Sequence, residues 1–346
     1  MNKNYHKILN HLKKKKYKWL ITGVAGFIGS NILELLLKHN QIVIGLDNFS
    51  TGNQNNLLDV KKLVTKKQWS NFKFFKINIA SPNKKFNNFF KKTDFVLHQA
   101  ALGSVPRSVK NPLKSNKSNV DGFLNVLDAS RKASVKRFIY ASSSSTYGDH
   151  PKLPKIENKT GKLLSPYAAT KFINEIYADV FSRTYKLSCL GLRYFNVFGR
   201  RQDPNGSYAA VIPKWVNSII KNKKIDIFGD GKTSRDFCYI DNVVSANLLA
   251  ALSIQKKEHE VFNIAVGERT SLNELFKILQ TIASDYGIKY PSKNRKFLNF
   301  RNGDVKHSLA NINKAKKKIG YKPLFFFKKG IKETFKWYIQ KNDQRY

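Results

Sequence analysis

The sequence predicts an α/β protein built on a doubly wound parallel sheet, with a smaller α/β lobe towards its C-terminus. Two observations carry this prediction. Short apolar runs that suit buried strands alternate with segments of helical apolar spacing over residues 18–199. The first apolar run is followed by three glycines at a three-residue spacing, Gly23, Gly26 and Gly29. At 346 residues, the chain is long enough for a large core and two lobes.

The glycine-rich stretch has the pattern of a strand, a turn and the start of a helix. Gly23 permits a tight turn, Gly26 lets the backbone approach a pyrophosphate, and Gly29 lets the helix pack close to the strand. Phosphates would then meet N–H groups at a helix N-terminus, where the helix dipole favours negative charge. A plain turn before a helix would use the same residues. The interpretation therefore depends on the next segment.

The second apolar run, residues 42–46, ends in Asp47, about twenty residues past the glycines. An acid at this point can accept hydrogen bonds from both ribose hydroxyls of an adenosine. It would repel the 2′-phosphate of NADP, and no Arg follows immediately to replace it. The pattern therefore favours NAD over NADP.

Composition sets outer limits on the class of protein. A hydrophobic fraction of 41%, with 13% aromatic residues, excludes general disorder. No apolar run approaches the length of a membrane span, so we expect no contact with a membrane. The two cysteines, Cys189 and Cys238, lie in apolar or aromatic surroundings, which is typical of reduced core thiols in a cytoplasmic protein. We therefore expect neither a disulfide nor a metal site.

The formal net charge of +40 has two interpretations. A strong positive field suits a protein that binds nucleic acid or an anionic surface. Alternatively, the lysines reflect compositional drift, because they are spread along the whole chain instead of forming one stripe. We favour drift and expect no nucleic-acid partner. The same field would still attract ligands that carry phosphate.

The remaining elements follow in order. Residues 1–16 have helical spacing and end in four lysines, which favours a helix that caps the first strand over a basic targeting helix. A helix from Pro112 to Lys132 and a helix that begins at Ser165 flank the strand at 136–141. Further strands are predicted at 72–77, 93–101, 187–194 and 262–265, with short pieces near 227–231 and 235–240, and further helices at 57–64, 211–221, 242–252, 272–284 and 330–339.

Tyr167 and Lys171 lie four residues apart on one face of the helix that begins at Ser165. A phenol with a pKa near 10 is a poor base at neutral pH, and a nearby ammonium favours the phenolate. Such a pair also occurs by chance on helix surfaces. Here it follows the glycine loop and a serine-rich strand end at 142–145, which favours a catalytic role.

Several motifs together resemble the extended short-chain dehydrogenase/reductases that act on nucleotide sugars. Besides the glycine loop and the Tyr-x-x-x-Lys pair, they include residues 47–52 (DNFSTG), 98–101 (HQAA) and 193–199 (RYFNVFG). Segments 101–108, 202–206 and 301–305 look most like the bacterial UDP-N-acetylglucosamine 4-epimerases of surface polysaccharide pathways. The resemblance implies a Rossmann domain and a C-terminal substrate domain, with cytoplasmic localisation.

The resemblance also implies the boundaries of the domains. It gives a helical extension at 1–17, a Rossmann domain at 18–199 with a returning segment at about 235–265, and a substrate-binding domain at 200–234 and 266–346. The long helices from Pro112 and Pro166 would form a four-helix contact in a homodimer.

The resemblance assigns roles to individual residues. Tyr167 would be the base for the sugar 4-hydroxyl, Lys171 its partner, and Ser143 the hydroxyl that helps at O4, with Ser144 beside it. The implied NAD-binding residues are Gly23, Gly26, Phe27, Ile28, Gly29, Asp47, Asn48, Ser50, Thr51, Gly52, Asn78, Ile79, Gln99, Ala100, Ala101, Ser118, Tyr167, Lys171 and Val197. The implied UDP-sugar-binding residues are Ser104, Arg107, Ser143, Ser144, Tyr167, Asn196, Val211, Lys214, Arg235, Arg301, Asp304 and Ser308.

Two details discriminate within the family. Dehydratases and decarboxylases place a carboxylate beside the catalytic Ser or Thr, whereas residues 142–146 contain none, which favours an epimerase. Ser308 stands where a bulky Tyr restricts related enzymes to sugars without an N-acetyl group, so acetamido sugars or their uronic acids are favoured. Another nucleotide-sugar enzyme, such as a dehydratase, decarboxylase or reductase, remains the alternative, with a basic nucleic-acid-binding protein behind it.

One position departs from the family pattern. Asn78 stands where family members usually carry an Asp that contacts the adenine. An amide can still donate and accept hydrogen bonds there, so we expect altered NAD affinity and no loss of the cofactor.

Overall fold

The computed structural model describes residues 3–205, 209–253, 258–300 and 305–343. Its centre is a seven-stranded parallel sheet in the order β3-β2-β1-β4-β5-β6-β11. This confirms the predicted doubly wound Rossmann architecture. The strands of this sheet are β1 (Lys18–Thr22), β2 (Ile42–Asp47), β3 (Phe72–Lys76), β4 (Phe95–His98), β5 (Arg137–Ser143), β6 (Cys189–Tyr194) and β11 (Glu260–Ile264).

Three short two-strand pairs lie outside the main sheet. They join β7 (Val197–Phe198) to β10 (Cys238–Tyr239), β9 (Ser234–Arg235) to β12 (Thr270–Ser271), and β8 (Ile225–Phe228) to β13 (Arg295–Leu298). The helices are α1 (Lys3–Lys14), α2 (Phe27–Lys38), α3 (Gln54–Lys62), α4 (Lys66–Trp69), α5 (Val105–Lys110), α6 (Pro112–Asn116), α7 (Gly122–Lys132), α8 (Pro166–Tyr185), α9 (Val211–Ile220), α10 (Ile240–Leu252), α11 (Leu272–Asp285), α12 (Asn313–Ile319) and α13 (Phe327–Asp343).

The sheet is buried on both faces, which explains its continuous apolar strands. Successive residues of β1 belong to different cores: Trp19 and Ile21 pack with α2 and α10, while Leu20 packs on the opposite face with α7 and α8. All three are fully buried. Because neither face of the inner strands meets water, their polar side chains are concentrated at the strand ends, whereas the edge strand β3 has Lys73 and Lys76 exposed.

The N-terminal helix α1 packs against α10 at the side of the sheet. Leu12 is buried at 1% exposure. The Gln41 amide donates to the Leu12 carbonyl, and its oxygen accepts a hydrogen bond from the Tyr17 N–H. These contacts attach the extension to the start of the first strand.

The predicted helix over 112–132 is not a single α-helix. A π-helical turn, Lys117–Asp121, separates α6 from α7. Within this turn the Asn119 side-chain oxygen accepts a hydrogen bond from the Leu102 N–H. Its amide nitrogen donates to the Leu102 carbonyl and to the Thr170 hydroxyl. The prediction missed the turn because these partners lie far away in the sequence.

The segment after β4 also differs from the prediction. The strand ends at His98, three residues earlier than expected. The chain then enters α5, which the apolar pattern did not predict and which begins after Ser104. Ser104 has a φ of 100° and caps the helix, with its hydroxyl accepting from the Arg107 N–H. The turn therefore depends on a local cap that apolar periodicity does not detect.

Both cysteines, Cys189 and Cys238, are buried free thiols. Among the described helices, none combines the length and apolarity needed to cross a membrane. Within the same residues, no group of three or more His, Cys, Asp or Glu side chains is placed to hold a metal ion.

Candidate active site

A cleft of about 1210 Å³ lies at the carboxyl ends of the parallel strands. This is where open α/β sheets bind ligands, next to the point at which the strand order reverses between β1 and β4. Each central strand delivers a wall residue to it: Gly23 after β1, Asp47 at the end of β2, Gln99 after β4, Ser143 at the end of β5, and Asn196 after β6.

The glycine loop brings α2 close to β1. Gly23 has a φ of 70°, and a Cβ there would stand 2.8 Å from the Ala100 backbone. A Cβ on Gly29 would stand only 2.2 Å from the Gly23 carbonyl oxygen. Gly26 precedes α2, and among the described residues no side chain caps this helix start. Its N-terminal N–H groups therefore face the cleft beside the glycines, as a phosphate site requires.

Asp47 is held rigidly at the edge of the cleft. Its Oδ2 accepts from the Ala25 N–H at 2.9 Å, and its Oδ1 accepts from the Phe49 N–H at 2.8 Å. Burial raises the pKa of the Asp47 carboxyl, and these backbone hydrogen bonds oppose that rise. A Cβ on Gly52 would lie 2.9 Å from both carboxylate oxygens, so the chain passes directly over them. Binding of a ribose diol by this acid stays a prediction.

The cofactor residues expected from the sequence all line this cleft. They are Gly23, Gly26, Phe27, Ile28, Gly29, Asp47, Asn48, Ser50, Thr51, Gly52, Asn78, Ile79, Gln99, Ala100, Ala101, Ser118, Tyr167, Lys171 and Val197. The glycine loop, the fixed acid and the small residues after β4 therefore fit a dinucleotide along the strand ends. The contacts that each residue makes with NAD stay a prediction.

The start of α8 places Tyr167 and Lys171 beside the end of β5. Ser165 caps the helix by accepting from the Ala168 N–H, and the Tyr167 N–H donates to the Ser108 hydroxyl at 3.0 Å. The Tyr167 side chain lies close enough to Ser143 to interact with its hydroxyl. Lys171 is buried, and its ammonium donates to the Ala141 carbonyl oxygen at 2.8 Å.

Burial changes the acidity of both side chains. It raises the pKa of the Tyr167 phenol, while the interaction with Ser143 acts in the opposite direction. Burial also lowers the pKa of Lys171 to about 8, although the negative charge of Glu175 opposes that fall. Tyr167 therefore needs help to ionise, and Ser143 supplies part of it.

Glu175 is a residue that the sequence analysis missed. Residues 142–146 contain no acid, but α8 brings the Glu175 carboxylate to within 2.5 Å of the Ser142 hydroxyl. It is 6% exposed, does not line the cleft, and is paired with Arg193 at 2.7 Å. The available signal was its position four residues after Lys171, on the same helical face.

The expected substrate residues divide into three groups. Ser104, Arg107, Ser143, Tyr167 and Asn196 line the cleft together. Five others lie off its wall in the described residues and stay predictions: Ser144, Val211, Lys214, Arg235 and Ser308. Arg301 and Asp304 lie outside the described residues.

Contacts locate three of the residues off the wall. The Lys214 ammonium lies 3.7 Å from the Asp226 carboxylate. The Arg235 guanidinium donates to the Ser234 carbonyl, and the Ser308 N–H donates to the same carbonyl at 3.0 Å. Arg235, which belongs to β9, and Ser308 therefore lie next to each other.

The C-terminal helix contributes an unexpected wall. Trp337, Tyr338 and Lys341 of α13 all line the cleft. Lys341 is ion-paired with Asp59 of α3, which also accepts from the Arg201 guanidinium at 2.7 Å. The apolar pattern of α13 predicts a helix but does not indicate which part of the protein the helix packs against, so its position at the cleft could not be predicted.

A family model described as the NAD dependent epimerase/dehydratase family matches residues 19–265. The chain belongs to this family. The matched segment contains the glycine loop, Asp47 and the Tyr167–Lys171 pair.

Members of this family resemble the chain over nearly its whole length. The putative UDP-glucose 4-epimerase of Methanocaldococcus jannaschii is 38% identical, over 94% of this chain and 99% of that protein. A solved UDP-N-acetylglucosamine 4-epimerase from Methanobrevibacter ruminantium, in complex with UDP-N-acetylmuramic acid, is 37% identical and covers 94% and 99% of the two chains, with a TM-score of 0.85.

A third relative was solved with its cofactor. The UDP-glucuronic acid 4-epimerase of Bacillus cereus, in complex with UDP-glucuronic acid and NAD, is 28% identical, covers 93% of this chain and 99% of its own, and has a TM-score of 0.82. The family match and these relatives support an epimerase, and its cofactor is NAD.

The close approach at Gly29 can be tested by a single methyl group. Gly29→Ala would press a Cβ into the Gly23 carbonyl, so the free energy of unfolding should fall by about 1–3 kcal/mol and purified protein should carry less NAD. Urea unfolding and the NAD content of the purified protein measure both. Gly103→Ala is the control for stability, because nothing described lies within 4 Å of a Cβ there. Equal stability of the two variants would contradict the packing argument.

Proposed function

We propose that the protein is a UDP-sugar 4-epimerase that interconverts UDP-N-acetylglucosamine and UDP-N-acetylgalactosamine, or their uronic acids, in the synthesis of surface polysaccharide precursors. One arrangement carries the proposal: Ser143, Tyr167 and buried Lys171 line the same cleft as the expected NAD residues, and Ser143 lies close enough to interact with the Tyr167 phenol. The names of the relatives support 4-epimerisation of a UDP-linked sugar, and they differ in the sugar.

The side chains have separable tasks in this reaction. Tyr167, as phenolate, accepts the proton of the sugar 4-hydroxyl. NAD, when held by the cofactor residues of the cleft, would supply the hydride chemistry at C4. The Ser143 hydroxyl holds O4 during this change, and Tyr167 then returns the proton. The Lys171 ammonium favours the phenolate through its positive charge.

The surroundings of Ser143 favour an epimerase over a dehydratase or decarboxylase. Those reactions need a further base at the sugar, and no carboxylate occurs among residues 142–146. The nearby acid, Glu175, is bound to Ser142 and to Arg193 and lies behind the cleft wall. Its carboxylate is therefore bound by other side chains and lies on the side of the wall away from the cleft, where it cannot remove a proton from a substrate.

Ser308 supports the choice of an acetamido sugar. A small side chain at this position leaves room for an N-acetyl group where a Tyr would fill the space. Ser308 lies beside Arg235, which we propose binds the diphosphate together with Asn196 and Arg301. We propose that Asp304 binds the uridine side.

We further propose that the enzyme is a homodimer. Large apolar side chains are exposed on α5, α6 and α8, which pack on one another: Val109 at 63%, Leu113 at 83%, Ile176 at 50% and Val180 at 40%. A second copy of the chain would cover this face with the same helices.

We also propose that the enzyme works in the cytoplasm. The domain boundaries given above are proposed as well.

The reaction is tested by incubation with UDP-N-acetylglucosamine, UDP-glucose and UDP-glucuronic acid and by identification of the products. The C4 epimer should form without net NADH. Tyr167→Phe should lower kcat by about 10²–10⁴, because the proton acceptor is lost, and should keep its NAD. Tyr185→Phe, near the exposed end of the same helix, is the control. A 4-keto-6-deoxy product, or normal turnover by Tyr167→Phe, would refute the assignment.

The sugar preference is tested at Ser308. Ser308→Tyr should lower kcat/KM for UDP-N-acetylglucosamine by roughly tenfold or more relative to UDP-glucose, since the ring fills the space for the acetamido group. Ser284→Tyr, on the exposed face of α11, is the matched control. Parallel loss of both activities would count against a role in sugar preference.

The dimer is tested by size-exclusion chromatography with light scattering. Leu113→Asp and Ile176→Asp should convert a dimer into a monomer, because each places a carboxylate in the covered face. Leu63→Asp, also on an exposed apolar residue but after α3, should remain dimeric. A wild-type protein that is monomeric at micromolar concentration would reject the proposal.

A further inference from the structure

One face of α8 contacts three consecutive residues at the end of β5, Ala141, Ser142 and Ser143. Tyr167 interacts with Ser143, Lys171 donates to the Ala141 carbonyl, and Glu175 accepts from the Ser142 hydroxyl. The three helix residues are spaced four apart and therefore follow one side of the helix. Two of these contacts involve the proposed catalytic pair, and the third belongs to a residue that never reaches the cleft.

Both oxygens of the Glu175 carboxylate accept hydrogen bonds from other side chains of the protein. Its Oε1 accepts from the Ser142 hydroxyl at 2.5 Å and from Arg193 Nε at 2.9 Å, and its Oε2 accepts from Arg193 Nη2 at 2.7 Å. Arg193 lies on β6, and its guanidinium also donates to the Glu157 carbonyl. Glu175 thus ties α8, β5 and β6 together directly behind the site.

We propose that Glu175 is a positioning residue for catalysis: it fixes the end of β5 under Tyr167 and Ser143, and its negative charge keeps the buried Lys171 ammonium protonated. This inference rests on the proposed roles of Tyr167 and Lys171. Glu175 itself touches neither substrate nor cofactor, so it acts through the residues of the preceding two turns.

The electrostatic part follows from the surroundings of Lys171. In the described part of the chain, the titratable groups that act on it are Glu175 on its own helix and His98 on β4. His98 is buried, and burial together with Lys171 lowers its pKa to about 3, so it stays neutral. Tyr140 of β5 is also buried, and its pKa is raised well above the usual value by burial and by Glu175.

Among the residues that the structure describes, Glu175 is therefore the negative charge that acts on Lys171. Burial already lowers the pKa of Lys171 to about 8, and Glu175 limits that fall. Without this charge, the Lys171 pKa would fall further and the ammonium would be lost at a lower pH. Tyr167 would then lose the cation that favours its phenolate.

The mechanical part follows from the strand end. Ser142 directly precedes Ser143, whose hydroxyl also receives the Ser145 N–H at 3.1 Å and the Ser145 hydroxyl at 2.9 Å. The Ser142 hydrogen bond to Glu175 joins this strand end to α8 next to Ser143, in addition to the hydrogen bond from Lys171 to the Ala141 carbonyl. Loss of the Ser142 hydrogen bond would leave the orientation of Ser143 to the turn that follows.

The decisive variants are Glu175→Gln, Ser142→Ala and the control Asp179→Asn. Asp179 lies one further turn along α8, is 45% exposed as a side chain, and is paired with Arg183. Glu175→Gln should lower kcat by roughly tenfold to a hundredfold, as small misplacements in active sites do. KM and bound NAD should change little, and the alkaline limb of the kcat–pH profile should move to lower pH.

The other two variants separate charge from contact. Ser142→Ala should lower kcat less than Glu175→Gln and leave the alkaline limb in place, because the charge remains. Asp179→Asn should match the wild type. An unchanged alkaline limb in Glu175→Gln would overturn the electrostatic role, and a joint loss of kcat and bound NAD would identify a merely structural residue.

Two further measurements keep the test decisive. If Glu175→Gln does not fold because Arg193 is left unpaired, the double variant Glu175→Gln/Arg193→Met removes both charges and should show the same shift. Titration of Lys171 by NMR in lysine-labelled protein, assigned with Lys171→Met, needs no turnover. An unchanged Lys171 titration overturns this inference, whereas inactivity of the wild type towards every UDP-sugar overturns the proposed function.

Discussion

Burial of the parallel sheet on both faces is the constraint on which the rest of the structure depends. Since Trp19, Leu20 and Ile21 each pack into one of two dry cores, strand interiors have no place for polar chemistry. Polar groups are left at the carboxyl ends, where Asp47 of β2 and Ser143 of β5 line the same cleft with the ends of β1 and β4 between them. The site is thus a consequence of how the sheet is covered, and the loops after the strands decide which ligands it accepts.

The same burial makes charged residues costly unless they are paired. Arg201 illustrates the solution away from the catalytic centre: its side chain is fully buried and is ion-paired with both Glu34 of α2 and Asp59 of α3. Lys341 of α13 joins this cluster through Asp59. The helix that follows the glycine loop is thereby linked to the C-terminal helix across the cofactor end of the cleft. Pairing that satisfies buried charge also determines which distant segments form the walls.

How far the sequence predicts the site depends on how local each signal is. Gly23, Gly29 and Asp47 could be identified because the turn, the close approach and the acid all lie within one β-α-β unit of fixed spacing. Tyr167 and Lys171 were found for the same reason, being one helical turn apart. The hydrogen bonds of Asn119 and Glu175 could not be predicted, since their partners are distant in the sequence and their own neighbours look like ordinary helix. The position of α13 at the cleft wall could not be predicted from any local signal, because it depends on the tertiary structure.

An enzyme that returns both hydride and proton to its substrate has different needs from one that releases a reduced cofactor. In the proposed reaction Tyr167 gives back the proton that it takes, so its partner need not exchange protons with solvent during turnover. The structure agrees with such a closed cycle: Lys171 is buried and its ammonium is bound to the Ala141 carbonyl. A buried cation is useful here only if it stays charged, which burial alone opposes. The role proposed for Glu175, the ion-paired carboxylate behind it, is to keep that cation charged.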